Sequence, residues 1–300
     1  MSPVDSPNPE AAAAAATAFL SEKSASVEQA LHAICERWTD APPTLRAAME
    51  YSLFAGGKRL RPALALGAAE IVSGSDEAAM PAACALEMIH TYSLMHDDLP
   101  CMDDDDLRRG KPTAHKAFGE ANAILAGDAL LTMAFDVAAQ SGNLAVVGEL
   151  AQAAGVAGMV GGQVLDLESE NKELTLEELR HIHAYKTGAL IRASVRVGAL
   201  IGGATGEPLE ALTRFGESIG LAFQIADDIL DVVGSEAAIG KRVGSDAYKQ
   251  KSTYPRLVGL ERARVLAREA VDEAVAVLEP FGCEADVFRA LARFIIERDK

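Results

Sequence analysis

The chain has 300 residues, a formal net charge of −16 and 49% hydrophobic residues. That length and apolar content suffice for a large buried core. The acidic balance excludes nucleic acid as a partner, because phosphate binding needs concentrated lysine and arginine.

The N-terminal "MSPVDSPNPEAAAAAATAFL" has an alanine run flanked by acids and no basic leader. It reads as a partly ordered tail over residues 1–25, leading into a first helix. Farther on, "VEQALHAICERW", the stretch around 82–96, "LEELRHIHAYKTGALIRASVRVGALIG" and "ERARVLAREAVDEAVAVLEPF" repeat apolar residues every three or four positions. That is helical periodicity, and strand-like alternation is nearly absent. Thr175 reads as the N-cap of a helix with acids in its first turn. Breaks fall at Gly56-Gly57, Ser73–Ser75, Ser141–Asn143, Gly202–Pro208, Gly234-Ser235 and Pro280–Gly282. The segments 188–202 and 219–233 are apolar on most sides and belong inside a bundle.

No Pro/Ser-rich linker divides the chain, and no apolar run approaches the ~20 residues of a membrane span. The expectation is one all-α domain over 1–300, with ten or more helices and no transmembrane segment. Four scattered cysteines, Cys35, Cys84, Cys101 and Cys283, show no CxxC spacing. A reduced, cytoplasmic setting is the simple reading.

The segment "FAGGKRLRP" places Lys58, Arg59 and Arg61 after two glycines, where cations can grip an anion. A glycine cap before a basic helix start explains this segment equally well on its own. Next comes "LMHDDLPCMDDDDLRRGKPTAH", with Asp97, Asp98 and Asp103 ahead of Asp104–Asp106, and then Arg108, Arg109 and Lys111. On one helix, residues six apart lie about 120° from each other. Pro100 discourages helix at Leu99, so a turn is expected to bring Asp103 back toward Asp97.

The second cluster, "FQIADDILD", spaces Asp227, Asp228 and Asp231 at i, i+1 and i+4, with Gln224 on the same side. Two like charges about 4 Å apart repel by about 4 kcal/mol at an effective dielectric near 20. A divalent cation removes that cost, and oxygen-only ligands suit Mg²⁺ or Mn²⁺. Either cluster alone reads as a solvated loop or helix edge. Two on separate helices suggest a diphosphate held between them by metal. Lys186, in "AYKTGAL" within an apolar helix, adds a cation.

These residues carry a resemblance. "GGKRLRP", "HDDLPCMDDDDLRRGKPTAH", "GEANAILAGDALL", "GMVGGQVLD", "YKTGALI", "FQIADDILD" and "GKRVGSDAYKQKSTYP" occur in the order found in trans-isoprenyl diphosphate synthases. The chain is similar to this polyprenyl synthetase family from about Leu31 to its C-terminus, nearest to the bacterial farnesyl type. The resemblance implies an isoprenoid synthase-type helical bundle around a central prenyl-binding cavity, and a homodimer.

It also implies Mg²⁺ at Asp97, Asp98, Asp103, Asp227, Asp228 and Asp231. Lys58, Arg61, His90 and Arg109 match the isopentenyl diphosphate site. Arg108, Lys186, Thr187, Gln224, Lys241 and Lys251 match residues holding the allylic substrate, dimethylallyl or geranyl diphosphate. Of these, Lys186, Thr187 and Gln224 are expected at the chemistry itself.

By itself, His90 on an apolar helix face reads as a satisfied core residue. His181 and His183 read as surface, and Met88, Met95 and Met102 as core or pocket wall. Tyr92 lies five residues before Asp97, about 7.5 Å of axial rise. A bulky residue there limits product length in this family, so a 15-carbon product is expected, with small Ser93 beside the ring. The rivals are a 20-carbon or 10-carbon product, a terpene cyclase, or the non-catalytic subunit of a heteromeric synthase. Low aromatic content argues against a cyclase, and complete aspartate motifs argue against an inactive subunit.

Overall fold

The computed structural model describes residues 9–170, 172–233 and 252–297. Among these residues the chain is almost entirely helical, as expected. In order the helices are α1 (Pro9–Glu36), α2 (Pro43–Leu53), α3 (Leu60–Ser73), α4 (Met80–Asp97), α5 (Ala114–Phe118), α6 (Glu120–Ala139), α7 (Leu144–Ala154), α8 (Met159–Glu168), α9 (Leu176–His183), α10 (Ala189–Ile201), α11 (Gly206–Val233), α12 (Tyr254–Val258), α13 (Leu260–Ala276) and α14 (Asp286–Glu297). A π-helical turn, Ala184–Gly188, joins α9 to α10.

Two large apolar cores share a partition. α3 gives Ala65, Leu66 and Ala69 to one core and Ala63, Leu64 and Ala68 to the other. α10 divides likewise, with Leu190, Ala193 and Val197 on one side and Ile191, Val195 and Ala199 on the other. That explains why 188–202 reads as apolar on most sides: each face meets a different core. α4 and α6 pack against each other in the first core, while α1, α11 and α14 complete the second. There Phe215 and Phe288 stack at 4.8 Å, an arrangement worth about 0.5–1.5 kcal/mol beyond the area it buries.

The N-terminal expectation needs correction. Helix α1 begins at Pro9, within the expected tail, and buries Ala16, Phe19 and Leu20. The alanine run hid this because small residues mark a buried face only weakly, yet they let α1 lie close on α3 and α14. Lys23, also within the expected tail, is buried against Asp76 at 2.8 Å and Glu70 at 2.9 Å.

Two further features depart from the sequence reading. Two helical stretches, Glu120–Ala139 and Leu144–Glu168, are long and apolar enough to cross a membrane by length and composition alone. In the fold, Ala123, Ala126, Gly127, Leu130 and Ala134 of the first are buried in the bundle. The strands β1 (Leu107–Arg108) and β2 (Lys111–Pro112) form a two-residue antiparallel hairpin. Its turn residues, Arg109 and Gly110, both have positive φ, 53° and 77°, the geometry of a tight type I′ turn.

Thr175 caps α9 through a full capping box with Glu178, as its position in the sequence predicts.

Candidate active site

The first aspartate cluster forms where α4 ends. Asp97 is its last residue, Asp98 is its C-cap, and the Asp103 N–H donates to the Asp97 carbonyl at 2.8 Å. The chain therefore turns back as Pro100 predicts. Burial pushes the Asp97 carboxyl up to about 6; nearby Lys186 opposes this, while Asp103 and Asp98 add to it. Asp98 is 2% exposed and accepts a forked pair of bonds from Arg108, with Nε at 2.9 Å. The hairpin explains this pairing, because it folds Arg108 back over the helix end.

The hairpin turn places Arg109 on the glycine pair. Its Nη1 donates to the Gly56 carbonyl, and a Cβ at Gly57 would lie only 2.6–2.7 Å from the guanidinium. The glycines thus provide the close approach the sequence suggested, and what approaches is a side chain of the protein itself. Arg59, the N-cap of α3, has φ of 48° and is 3% exposed. It does not face an incoming anion: its Nη1 donates to Glu87 Oε1 at 2.6 Å and its Nη2 to the Leu53 carbonyl at 2.7 Å.

Lys58 is exposed, with Nζ 5.8 Å from the centre of the Phe294 ring. Arg61 has a buried Nε without a hydrogen-bond partner. Burial, then Arg61 and Arg109, hold His90 well below the usual imidazole range. Its ring is therefore neutral near pH 7, offering one N–H and one lone pair. A cavity of about 30 Å³ is lined by Asp98, Arg108, Arg109 and Lys111 with Thr91 and Met95.

On α11, Asp227 is exposed while Asp228 and Asp231 are 6% and 4% exposed. Asp228 Oδ2 accepts the Tyr254 N–H at 2.9 Å. Asp227 is close enough to raise the Arg61 pKa against the effect of burial. Lys186 sits in the π-turn, and its Nζ donates to Asp166 Oδ2 at 2.6 Å. Half-buried Thr187 follows it, and half-buried Gln224 lies on α11. Lys241 and Lys251 lie outside the described residues.

A larger cavity of about 470 Å³ opens between the π-turn and α13, lined by Arg180, His183, Arg192, Glu217, Leu221 and Leu266. None of the clustered aspartates lines it, although the turn that carries Lys186 and Thr187 does.

Tyr92 is 6% exposed and meets the His96 ring edge-on at 5.7 Å. Ser93 Oγ donates back to the His90 carbonyl at 2.9 Å. Met88 and Met95 are buried and Met102 packs at the margin of the same core, as expected. His181 is exposed, but His183 is half-buried against the Tyr254 ring and is not a surface residue.

Sequence reasoning gave no role to Asp166, Glu87, Gly162 or Tyr254. The motif "GMVGGQVLD" held a signal: Gly162 lies so close to the π-turn that a Cβ would come within 2.2 Å of the Lys186 nitrogen. The glycine seats α8 on the turn, and Asp166, one helical turn later, reaches Lys186.

The donor set fits a hard divalent cation. All six candidates are carboxylates, and Asp97 is a crowded acid whose ionised form a cation stabilises. Among the described residues no three carboxylate, imidazole or thiol groups are gathered closely enough to hold a metal ion by themselves.

The sequence profile of the polyprenyl synthetase family matches residues 42–293. A farnesyl diphosphate synthase from Bacillus subtilis (strain 168) is 48% identical over 291 residues, covering 94% of this chain and 98% of that protein. A chloroplastic geranylgeranyl pyrophosphate synthase from Capsicum annuum is 49% identical, covering 94% and 78%. The crystal structure of a polyprenyl synthase from Caulobacter crescentus CB15, complexed with calcium and isoprenyl diphosphate, superposes with a TM-score of 0.87 at 28% identity, covering 95% and 98%. The chain, with its two aspartate clusters and predominantly helical fold, belongs to the polyprenyl synthetase family.

Proposed function

We propose that the protein is a prenyltransferase that joins isopentenyl diphosphate head-to-tail (1′-4) to dimethylallyl diphosphate, then to geranyl diphosphate, and releases farnesyl diphosphate. One observation supports the reading: each aspartate cluster lies within electrostatic reach of a cation proposed to grip diphosphate. Asp97 feels Lys186, and Arg61 feels Asp227. Two diphosphates side by side need that mixture of charges.

Asp97, Asp98, Asp103, Asp227, Asp228 and Asp231 would hold magnesium, which when bound neutralises the diphosphate that departs. Lys186 and Arg108 hold the allylic diphosphate. Their pairings with Asp166 and Asp98 keep both cations in place before substrate arrives. Lys58, Arg61, Arg109 and neutral His90 hold isopentenyl diphosphate. Thr187 and Gln224 offer oxygen lone pairs toward the developing allylic cation. The isopentenyl double bond attacks that cation, and the proton then lost goes to the departed diphosphate. No serine or cysteine nucleophile is required.

The product length rests on Tyr92, which is buried on α4 five residues before Asp97 and would stop a tail running along that helix. Small Ser93 and the C. annuum relative support a second reading, a 20-carbon product. The bundle is read as one domain working in the cytoplasm, consistent with four free cysteines. A homodimer is supported by large apolar residues left exposed, with Ile124 at 42% and Leu125 at 57% on α6 and Val164 at 48% on α8. Light scattering of the protein and of Leu125→Lys tests it.

The deciding experiment supplies Mg²⁺, isopentenyl diphosphate and dimethylallyl diphosphate, then sizes the dephosphorylated alcohols. A dominant 15-carbon alcohol supports the reading. A 20-carbon product keeps the chemistry and removes the role of Tyr92. No condensation overturns the proposal.

A further inference from the structure

Like charge is crowded where α3 begins and α4 passes beneath it. Arg61 and Arg109 both act on His90, and Arg108 and Arg59 add to the same field. Arg109 is exposed as a residue, yet its guanidinium is tucked against Gly57. Desolvated cations that act on one another repel, so a counter-charge is needed when no anion is bound.

Glu87 answers that need. It is 2% exposed and lies three residues before His90 on α4, on the same helix face. Its carboxylate is fixed by Arg59, with the two side chains 3% and 1% exposed. Its charge reaches further: for both Arg61 and Arg109 it is the largest influence opposing desolvation. The carboxylate is bonded to Arg59, and its charge also favours the ionised forms of Arg61 and Arg109. A single bond to Arg59 does not satisfy Arg61, whose buried Nε has no partner. A diphosphate oxygen is the chemistry that atom suits.

We infer that Glu87 is a positioning residue for the isopentenyl diphosphate site, the shared counter-charge that keeps Arg61 and Arg109 poised over His90 through its buried bond to Arg59. Without it, the charge that offsets the desolvation of the two arginines is lost, and an arriving anion must supply it alone. The inference rests on the proposed role of Lys58, Arg61, His90 and Arg109.

The test compares Glu87→Gln, Glu87→Asp and the pair replacement Arg59→Met with Glu87→Met, each assayed for the KM of both substrates. Isopentenyl diphosphate binding without metal is measured alongside by calorimetry. Glu87→Gln is expected to raise the KM for isopentenyl diphosphate at least tenfold and to leave the allylic KM within twofold. Glu87→Asp, keeping the charge, recovers part of the loss.

The pair replacement separates this role from a structural one. Exchanging a buried ion pair for apolar side chains commonly preserves stability. A stable double variant with a raised KM and weakened metal-free binding for isopentenyl diphosphate supports the inference. A stable double variant with the wild-type KM overturns it, because Glu87 then serves only to neutralise Arg59. Arg61→Gln tests the foundation: an unchanged isopentenyl diphosphate KM there removes the site reading itself, and the inference with it.

Discussion

Asp228 accepts a hydrogen bond from the backbone of Tyr254, 26 positions later in the chain, at 2.9 Å. Tyr254 is fully buried, so this bond ties α11 to the start of α12 inside the fold. The neighbouring carboxylate, Asp227, is exposed. Two adjacent acids thus carry different duties. Asp228→Ala strands a buried N–H and is expected to cost about 1–3 kcal/mol of stability along with activity. Asp227→Ala is expected to lose activity at an unchanged melting temperature. Thermal melts beside turnover assays separate the two.

Tyr92→Ala is expected to lengthen the product. Each added isoprene unit gains roughly 4 kcal/mol of burial where there is room, from ~0.8 per CH₂ over five carbons. Chromatography of the dephosphorylated products reads the outcome directly, and an unchanged 15-carbon product sinks the idea.

Gly162→Ala puts a methyl group within 2.2 Å of the Lys186 backbone nitrogen. Backbone cannot swing aside as a side-chain tip can. The substitution is expected to cost about 1–3 kcal/mol as overpacking and to raise the KM for the allylic substrate more than that for isopentenyl diphosphate. Equal changes in both would show that the turn is not tied to one substrate.

Alkaline pH is expected to destabilise the fold. Burial pushes the Cys35 and Cys84 thiols up to about 12. In the unfolded chain they ionise near their ordinary value, so the unfolded state sheds protons first. The stability that neutral thiols contribute is whole below about pH 8.5 and is lost as pH rises toward 12. Each thiol adds a slope approaching 1.4 kcal/mol per pH unit, as an order of magnitude. Urea unfolding at pH 8, 9.5 and 10.5 measures the slope, and Cys84→Ala should reduce it.

Most residues of the proposed site are legible in the sequence because such chemistry needs rare side chains in rare combinations. Six aspartates in two spaced clusters have few uses, and Pro100 announced the turn that gathers the first. The supporting residues stayed hidden for physical reasons. Glu87 sits in an apolar helix and draws meaning only from Arg59, distant in sequence. Asp166 needs Lys186 beside it. The hairpin at 107–112 is too short for alternation to mark, and Arg109 takes a positive φ that no pattern of arginines foretells. The first helix was expected, but its early start at Pro9 went unread because alanine signals a buried face faintly.

The π-turn at Ala184–Gly188 has one more consequence. A wider turn holds one residue beyond the α-helical count. From Leu176 to Ile201 the chain climbs as nearly one rod, but its two halves are indexed differently by about 100°, one residue's rotation. α9 can therefore face the small core around Tyr254 and Leu266 while α10 faces both large ones. Lys186 and Thr187 sit at the seam. A single-residue deletion there would straighten the rod and set one half out of phase with its partners, so chain length in this turn is as constrained as the identity of its lysine.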